Sequence, residues 1–271
     1  MCSLLFVRGI GQEYRIVDTE SRESLPYATI LFPQALTGLY ADRDGLFVMP
    51  DGYTAADTIS ISMLGYTSLY IKISDLTDTI FLTRAAYNLQ SIVVTPNKKR
   101  KNTTVGFISS RRGSSWGSKV GFVPTRIVTY IANKSGSSHE VDKLLYRHEQ
   151  RDQNIRFIAR SQVYSVNSDG TPGAPLLNKS NIITLSGKGI LEVSCEEALI
   201  FPPEGLFVGI EIIEAIDNKG ESINPDELTF PIVLTSRHKE INTYFSVKLA
   251  KWISYFTVSK HTNAMIGLSY K

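Results

Sequence analysis

Cysteine is nearly missing: Cys2 and Cys195 are the two in 271 residues, so no disulfide framework holds this chain together. Histidine is scarce too, at His139, His148, His238 and His261. A zinc peptidase needs two histidines and a carboxylate on one metal. His139-Glu140-Val141-Asp142-Lys143 superficially suggests that helix, but Lys143 stands where the second ligand belongs, and a cation there repels the metal. No stretch approaches the roughly 18–20 apolar residues of a membrane span. No Walker-type Gly-Lys-Ser/Thr run is present, and Gly9-Ile10-Gly11 lacks both a preceding strand and the third glycine of a dinucleotide loop. Acidic side chains are absent from residues 79–139, which carry 10 basic ones, whereas residues 1–78 are acidic and residues 140–271 nearly balanced.

The residues that are present describe a globular β protein. An apolar fraction of 42% and a charged fraction of 20% exclude a disordered tail, a collagen-like repeat and a polytopic membrane protein. A chain of this length forms one or two domains and buries about three quarters of its unfolded surface. Its 13 Tyr and 12 Phe, set among Ile, Val and Thr, suit half-buried pleated surfaces better than long helices.

Short alternating runs predict seven strands in the first third: Tyr14–Val17, Ala28–Phe32, Gly45–Val48, Thr58–Met63, Leu69–Ile73, Thr79–Leu82 and Ser91–Val94. Turn residues separate them at the spacing of a small sandwich. Residues 96–125 then interrupt the pattern with Lys98-Lys99-Arg100-Lys101 and Arg111-Arg112-Gly113-Ser114-Ser115-Trp116, a basic Ser/Gly-rich stretch read as a connection. A second β pattern fills residues 126–271. Strands are expected at Arg126–Ala132, Ile155–Val166, Ile182–Leu185, Gly189–Ser194, Leu206–Ile213, Ile232–Leu234 and Trp252–Val258. At the other end, the apolar run Ser3–Val7 within residues 1–11 is read as the remnant of an export signal whose start lies upstream.

Ile16-Val17-Asp18, Ser24-Leu25-Pro26-Tyr27-Ala28-Thr29-Ile30, Ala41-Asp42-Arg43-Asp44-Gly45-Leu46-Phe47, Ile59-Ser60-Ile61-Ser62-Met63-Leu64-Gly65-Tyr66 and Leu89-Gln90-Ser91-Ile92-Val93-Val94 together resemble the carboxypeptidase-regulatory-like domain, over roughly residues 12–95. The resemblance implies a transthyretin-like seven-stranded sandwich without catalytic residues, of a kind often attached to exported or outer-membrane proteins of Gram-negative bacteria. In it Pro26 would start an edge strand, Gly45 supply a turn, Phe47 fill the sandwich and Gly65 allow a bend beside Tyr66. Thr171-Pro172-Gly173-Ala174-Pro175-Leu176-Leu177 and Pro202–Glu211 resemble, more loosely, a jelly-roll-like region that follows this domain in some bacterial proteins. That likeness implies no activity.

Each chemical signal has a structural rival. Asp42-Arg43-Asp44-Gly45 begins like a calcium loop, but Tyr53 occupies the twelfth position, so a turn is expected. Cys195 shares a strand face with Leu191 and Val193 and reads as a small core residue, with Glu196 and Glu197 opposing a reactive thiolate. Glu211, a lone carboxylate inside an apolar strand, must be paired, with Arg156 or Arg160 as candidates. Arg111, Arg112 and Trp116 combine charge with one aromatic, too few for a nucleic-acid groove. Trp116, Trp252, Tyr255 and Phe256 line either a sugar platform or a core.

The expectation is therefore an all-β protein of two β-sandwich domains, transthyretin-like and then jelly-roll-like. It acts as a non-catalytic binding or structural module of the cell envelope, in the periplasm or on the outer-membrane surface, with a protein or glycan as partner and without cofactor or metal. Interaction residues are sought at Arg111, Arg112, Trp116, Glu211 and Trp252. The alternatives are a carbohydrate-binding jelly roll and a hydrolase whose site is assembled from scattered residues.

Overall fold

A computed structural model describes residues 12–35, 37–85, 102–115, 125–179, 181–223, 228, 230–236, 238–247, 252–254 and 262–271. The chain divides into two compact units, Met1–Ala86 and Tyr87–Lys271. Both are all-β, as the composition predicts. Among the described residues no helix is long and apolar enough to cross a membrane.

The first unit contains β1 (Glu13–Asp18), β2 (Thr29–Phe32), β3 (Thr37–Tyr40), β4 (Leu46–Val48), β5 (Thr58–Ser62), β6 (Leu69–Lys72) and β7 (Thr79–Leu82). They form a three-stranded sheet, β4-β1-β7, and a four-stranded one, β3-β2-β5-β6. Tyr14, Ile16, Phe47, Ile80 and Leu82 from the first sheet share one core with Ile30, Phe32, Ile59 and Ile61 from the second. Strand β3 was not expected: all four of its residues are half-buried, so the two-residue apolar period is faint there. Pro26 does not start an edge strand. It precedes by three residues β2, which lies inside its sheet between β3 and β5. The expected strand Ser91–Val94 lies outside the described residues.

Turn chemistry explains the motifs. Asp42 Oδ1 accepts the backbone N–H groups of Asp44 and Leu46, both at 2.8 Å. That carboxylate closes its own turn, and Gly45 completes it at φ +75, where a Cβ would press on the Ile16 carbonyl oxygen. Phe47 then stacks on Tyr14 in the core. Buried Asp18 accepts the N–H of Glu20 and of Ser21 on Oδ1, and the Tyr66 hydroxyl at 2.8 Å and Arg84 Nε at 2.7 Å on Oδ2. The Ser21 N–H and the Tyr66 hydroxyl hold the Asp18 carboxyl far below the usual carboxylate range, against the effect of burial. Burial and Asp18 push the Tyr66 hydroxyl up to about 12. Gly65, at φ +90, makes the bend that delivers Tyr66 to Asp18.

The second unit holds β8 (Thr103–Gly106), β9 (Arg112–Ser115), β10 (Thr125–Ile131), β11 (His139–Glu149), β12 (Arg156–Val166), β13 (Pro172–Pro175), β14 (Ile182–Leu185), β15 (Lys188–Ser194), β16 (Ile200–Phe201), β17 (Leu206–Ile216), β18 (Val233–Thr235), β19 (Thr243–Val247), β20 (Ile253–Ser254) and β21 (Ile266–Tyr270). A seven-stranded sheet runs β13-β12-β17-β10-β19-β20, with β14 also on β12. A five-stranded sheet runs β15-β11-β21-β8, with β16 also on β11, and β9 pairs with β18. Inside residues 96–125, the stretch read as a connection, β8 and β9 thus belong to sheets of the second unit. Lys98–Lys101 lies outside the described residues.

Segment His139–Glu149 is a strand, so its resemblance to a metal-binding helix ends there. Lys143 pairs with Glu192 across β15 at 2.6 Å. Tyr146 of β11 is wholly buried, and burial drives its hydroxyl well above the usual phenol range, with Ser161 of β12 beside it. This contact identifies the face of β12 that looks into the sandwich. Phe157, Ala159, Ser161 and Val163 are on it, and Arg160, Gln162 and Tyr164 are on the opposite one.

Candidate functional site

Because side chains alternate along a strand, register alone assembles the site on the face of the seven-stranded sheet turned away from Tyr146. Arg160 stands opposite Glu211, which stands opposite Arg126, which stands opposite Ser246. The next row is Gln162, Gly209, Val128 and Tyr244, and the third is Tyr164, Phe207 and Tyr130. A polar row therefore borders an aromatic cluster.

The polar row is fully connected. Glu211 is 3% exposed and Arg160 2%. Arg160 Nε lies 2.9 Å from Glu211 Oε2, and Gln162 Nε2 donates to the same oxygen at 2.6 Å. The Tyr164 hydroxyl donates to Gln162 Oε1 at 3.0 Å. Arg126 then reaches Tyr164 Oη at 3.3 Å through Nη1 and Ser246 Oγ at 3.4 Å through Nη2. Burial pushes the Tyr164 hydroxyl up, partly offset by Arg126. The expectation for Glu211 is met by Arg160. Arg156 is corrected: its Nη2 donates to the Asp217 carbonyl at 3.1 Å, four residues and one β-bulge away from the Glu211 position.

The Arg126 guanidinium also lies over Trp252, 4.8 Å from the ring centroid. Tyr164 meets Trp252 edge-on at 5.2 Å. Phe207 meets Tyr130 and Tyr244, each at 5.5 Å, with Val128 and Val166 filling the cluster. Tyr130, Tyr244 and Trp252 are half-buried. At its centre Gly209 lets β10 approach closely: a Cβ there would collide with the Ile127 carbonyl oxygen and Val128.

Two of the interaction residues expected from the sequence, Glu211 and Trp252, are thus joined through Gln162, Tyr164 and Arg126. Arg112 lies elsewhere, on β9, paired with Glu149. Burial raises the Glu149 carboxyl, but the Arg112 hydrogen bond and charge, helped by Arg151, outweigh it and hold the group low. Arg111 is exposed, and its carbonyl accepts the Ser236 N–H at 2.9 Å. Trp116, Tyr255 and Phe256 lie outside the described residues. Sequence reasoning missed Arg126, Tyr130, Tyr164, Phe207 and Tyr244, whose common face is defined only by pairing register.

Other chemical groups are tied into local structure. Cys195 is half-buried rather than a full core residue, and burial with Asp142 nearby pushes its thiol up to about 11. Ser135 Oγ lies 2.6 Å from His139 Nε2, but it also bonds Asn133 Oδ1 at 2.7 Å within the β10–β11 connection. Gly113-Ser114-Ser115-Trp116-Gly117 has Gly-x-Ser-x-Gly spacing. Ser115, however, is a strand residue paired with Val233, not the tip of a strand-to-helix elbow. Among the described residues no group of three or more His, Cys, Asp or Glu side chains could hold a metal ion.

Fold and site define an all-β protein built of sandwich-like units. The family model of the CarboxypepD_reg-like domain matches residues 15–94, most of which lie in the first unit. No curated protein matches the chain. Among solved structures it is similar to the cysteine protease and lectin-like domains of Cwp84, a surface layer associated protein of Clostridium difficile, at 12% identity, over 66% of this chain and 37% of that one, with a TM-score of 0.37. It is also similar to clostridial cysteine protease Cwp84 after propeptide cleavage, at 15% identity over 87% and 57%, TM-score 0.44. A third similarity is to the infectious bursal disease virus VP2 subviral particle, at 13% identity over 90% and 58%, TM-score 0.24. The chain spans well under two thirds of each of these structures' chains.

Proposed function

We propose that this protein is a non-catalytic binding module of the bacterial cell envelope, acting in the periplasm or on the outer-membrane surface. Its second unit, a jelly-roll-like sandwich in this reading, offers a ligand the aromatic face of the seven-stranded sheet. The observation that carries the reading is the half-buried trio Tyr130, Tyr244 and Trp252 around Phe207, bordered by a polar row that holds a buried ion pair. Rigid aromatic surface beside an arginine contributes contact area at little ordering cost. The envelope location is supported by the CarboxypepD_reg-like first unit and the exported proteins that such domains accompany.

A glycan is the preferred ligand over a protein, because flat aromatic faces next to hydrogen-bonding Arg126 suit the apolar face and hydroxyl rim of a sugar ring. A glycan array followed by calorimetry tests this. Binding should fall about tenfold or more in Trp252→Ala, with the thermal midpoint of the protein retained. Fractionation of the producing cells tests location. Absence of any glycan on the array, or binding indifferent to Trp252→Ala and Tyr244→Ala, defeats the proposal.

A further inference from the structure

The five-stranded sheet of the second unit ends on β15. Among the described residues no strand pairs with its outer edge. The Gln150 N–H donates to the Gly187 carbonyl and the Cys195 N–H to the Asp142 carbonyl, one on each side of the β11–β15 ladder. Odd-numbered residues therefore turn their backbone groups toward β11, and Lys188, Ile190, Glu192 and Ser194 turn theirs outward. The side chains of these four are exposed as well. Ile190, a large apolar residue at the middle of an edge, is 51% exposed. Lys188 has no ion-pair partner among the described residues, and the Glu192 carboxylate, held on one side by Lys143, is 54% exposed.

We propose that β15 pairs antiparallel with β15 of a second copy about a two-fold axis at Ile190, so that the five-stranded sheet continues across a dimer. In this register each Lys188 faces Glu192 of the second copy, and Ile190 faces its own counterpart. The residues that meet as hydrogen-bonded pairs are those whose N–H and C=O groups already point outward. Gly189, without a side chain, lies opposite Leu191 of the other copy. Parallel in-register stacking would set lysine against lysine and glutamate against glutamate, so the charges that oppose a fibre favour this closed pair.

Sedimentation of the full chain over a concentration series tests the dimer. A reversible dimer weakened by salt is expected. Lys188→Glu should weaken it about tenfold, because two symmetric attractions become repulsions, and adding Glu192→Lys should restore it. Ile190→Pro removes an outward N–H without touching a β11 bond, so it should abolish the dimer with the thermal midpoint kept. A chain that sediments as a monomer throughout overturns the proposal. So does a dimer indifferent to these substitutions, or an edge that captures a foreign extended peptide while the chain stays monomeric.

Discussion

Replacing Glu211 with Gln removes one charge and almost no volume, and the consequence follows from what surrounds it. Arg160, 2% exposed, loses the carboxylate that lies 2.9 Å away and remains a buried guanidinium. Breaking a buried pair from one side costs about 3–5 kcal/mol, roughly two to three and a half powers of ten in the folded-to-unfolded ratio. Taking out both ions is different. Glu211→Leu with Arg160→Met puts hydrocarbon of similar size on both strands, and most of the loss should return, because no uncompensated ion is left between them. Both tryptophans, Trp116 and Trp252, belong to the second unit, so tryptophan fluorescence in a urea titration reads that unit without interference from the first. A Glu211→Gln midpoint equivalent to less than about 1 kcal/mol of loss would mean that water reaches Arg160. The reading of this row as a sealed structural support for the aromatic face would then be refuted.

The first unit should be acid-sensitive through Asp18. Its folded-state pKa lies far below the unfolded value, so the unfolded chain binds more protons. The stability it contributes is complete at neutral pH and declines as pH falls below roughly 4. Asp18→Asn should flatten that acid limb in circular-dichroism melts, and an unchanged limb would remove Asp18 from the account. Tyr66→Phe deletes the hydroxyl donor at 2.8 Å and should lower the first unit's melting midpoint by several degrees while leaving tryptophan fluorescence unfolding unchanged. With Cys2→Ser as background, Cys195 at pH 8 should react roughly a hundredfold more slowly with a disulfide reagent in the folded than in the unfolded protein, because its thiol is pushed up to about 11. Equal rates would contradict the burial. Gly209→Ala forces a Cβ against the Ile127 carbonyl and should destabilise the second unit by about 1–3 kcal/mol, read by the same urea titration.

The sequence by itself determined the fold class and much of the first unit's wiring. Asp42, Gly45 and Phe47 announce a turn and the core residue that follows it within six positions of chain, and alternation in Thr58–Ser62 is enough to orient a strand. Such signals are local, so they survive in one dimension. The tertiary structure decided what the strands bring together. Strand β11 was hidden because His139–Glu149 mixes charged and apolar residues and contains a bulge, which breaks the two-residue period that would have revealed it. Glu211 could be recognised as a carboxylate needing a partner, but the choice of Arg160 over Arg156 depended on pairing between residues about fifty positions apart. Arg126, Tyr130, Tyr164, Phe207 and Tyr244 share a face only because four strands hydrogen-bond in one particular register. A slip of one residue would turn that whole set inward, and nothing in the local sequence sets that choice, which comes from packing across the sheet.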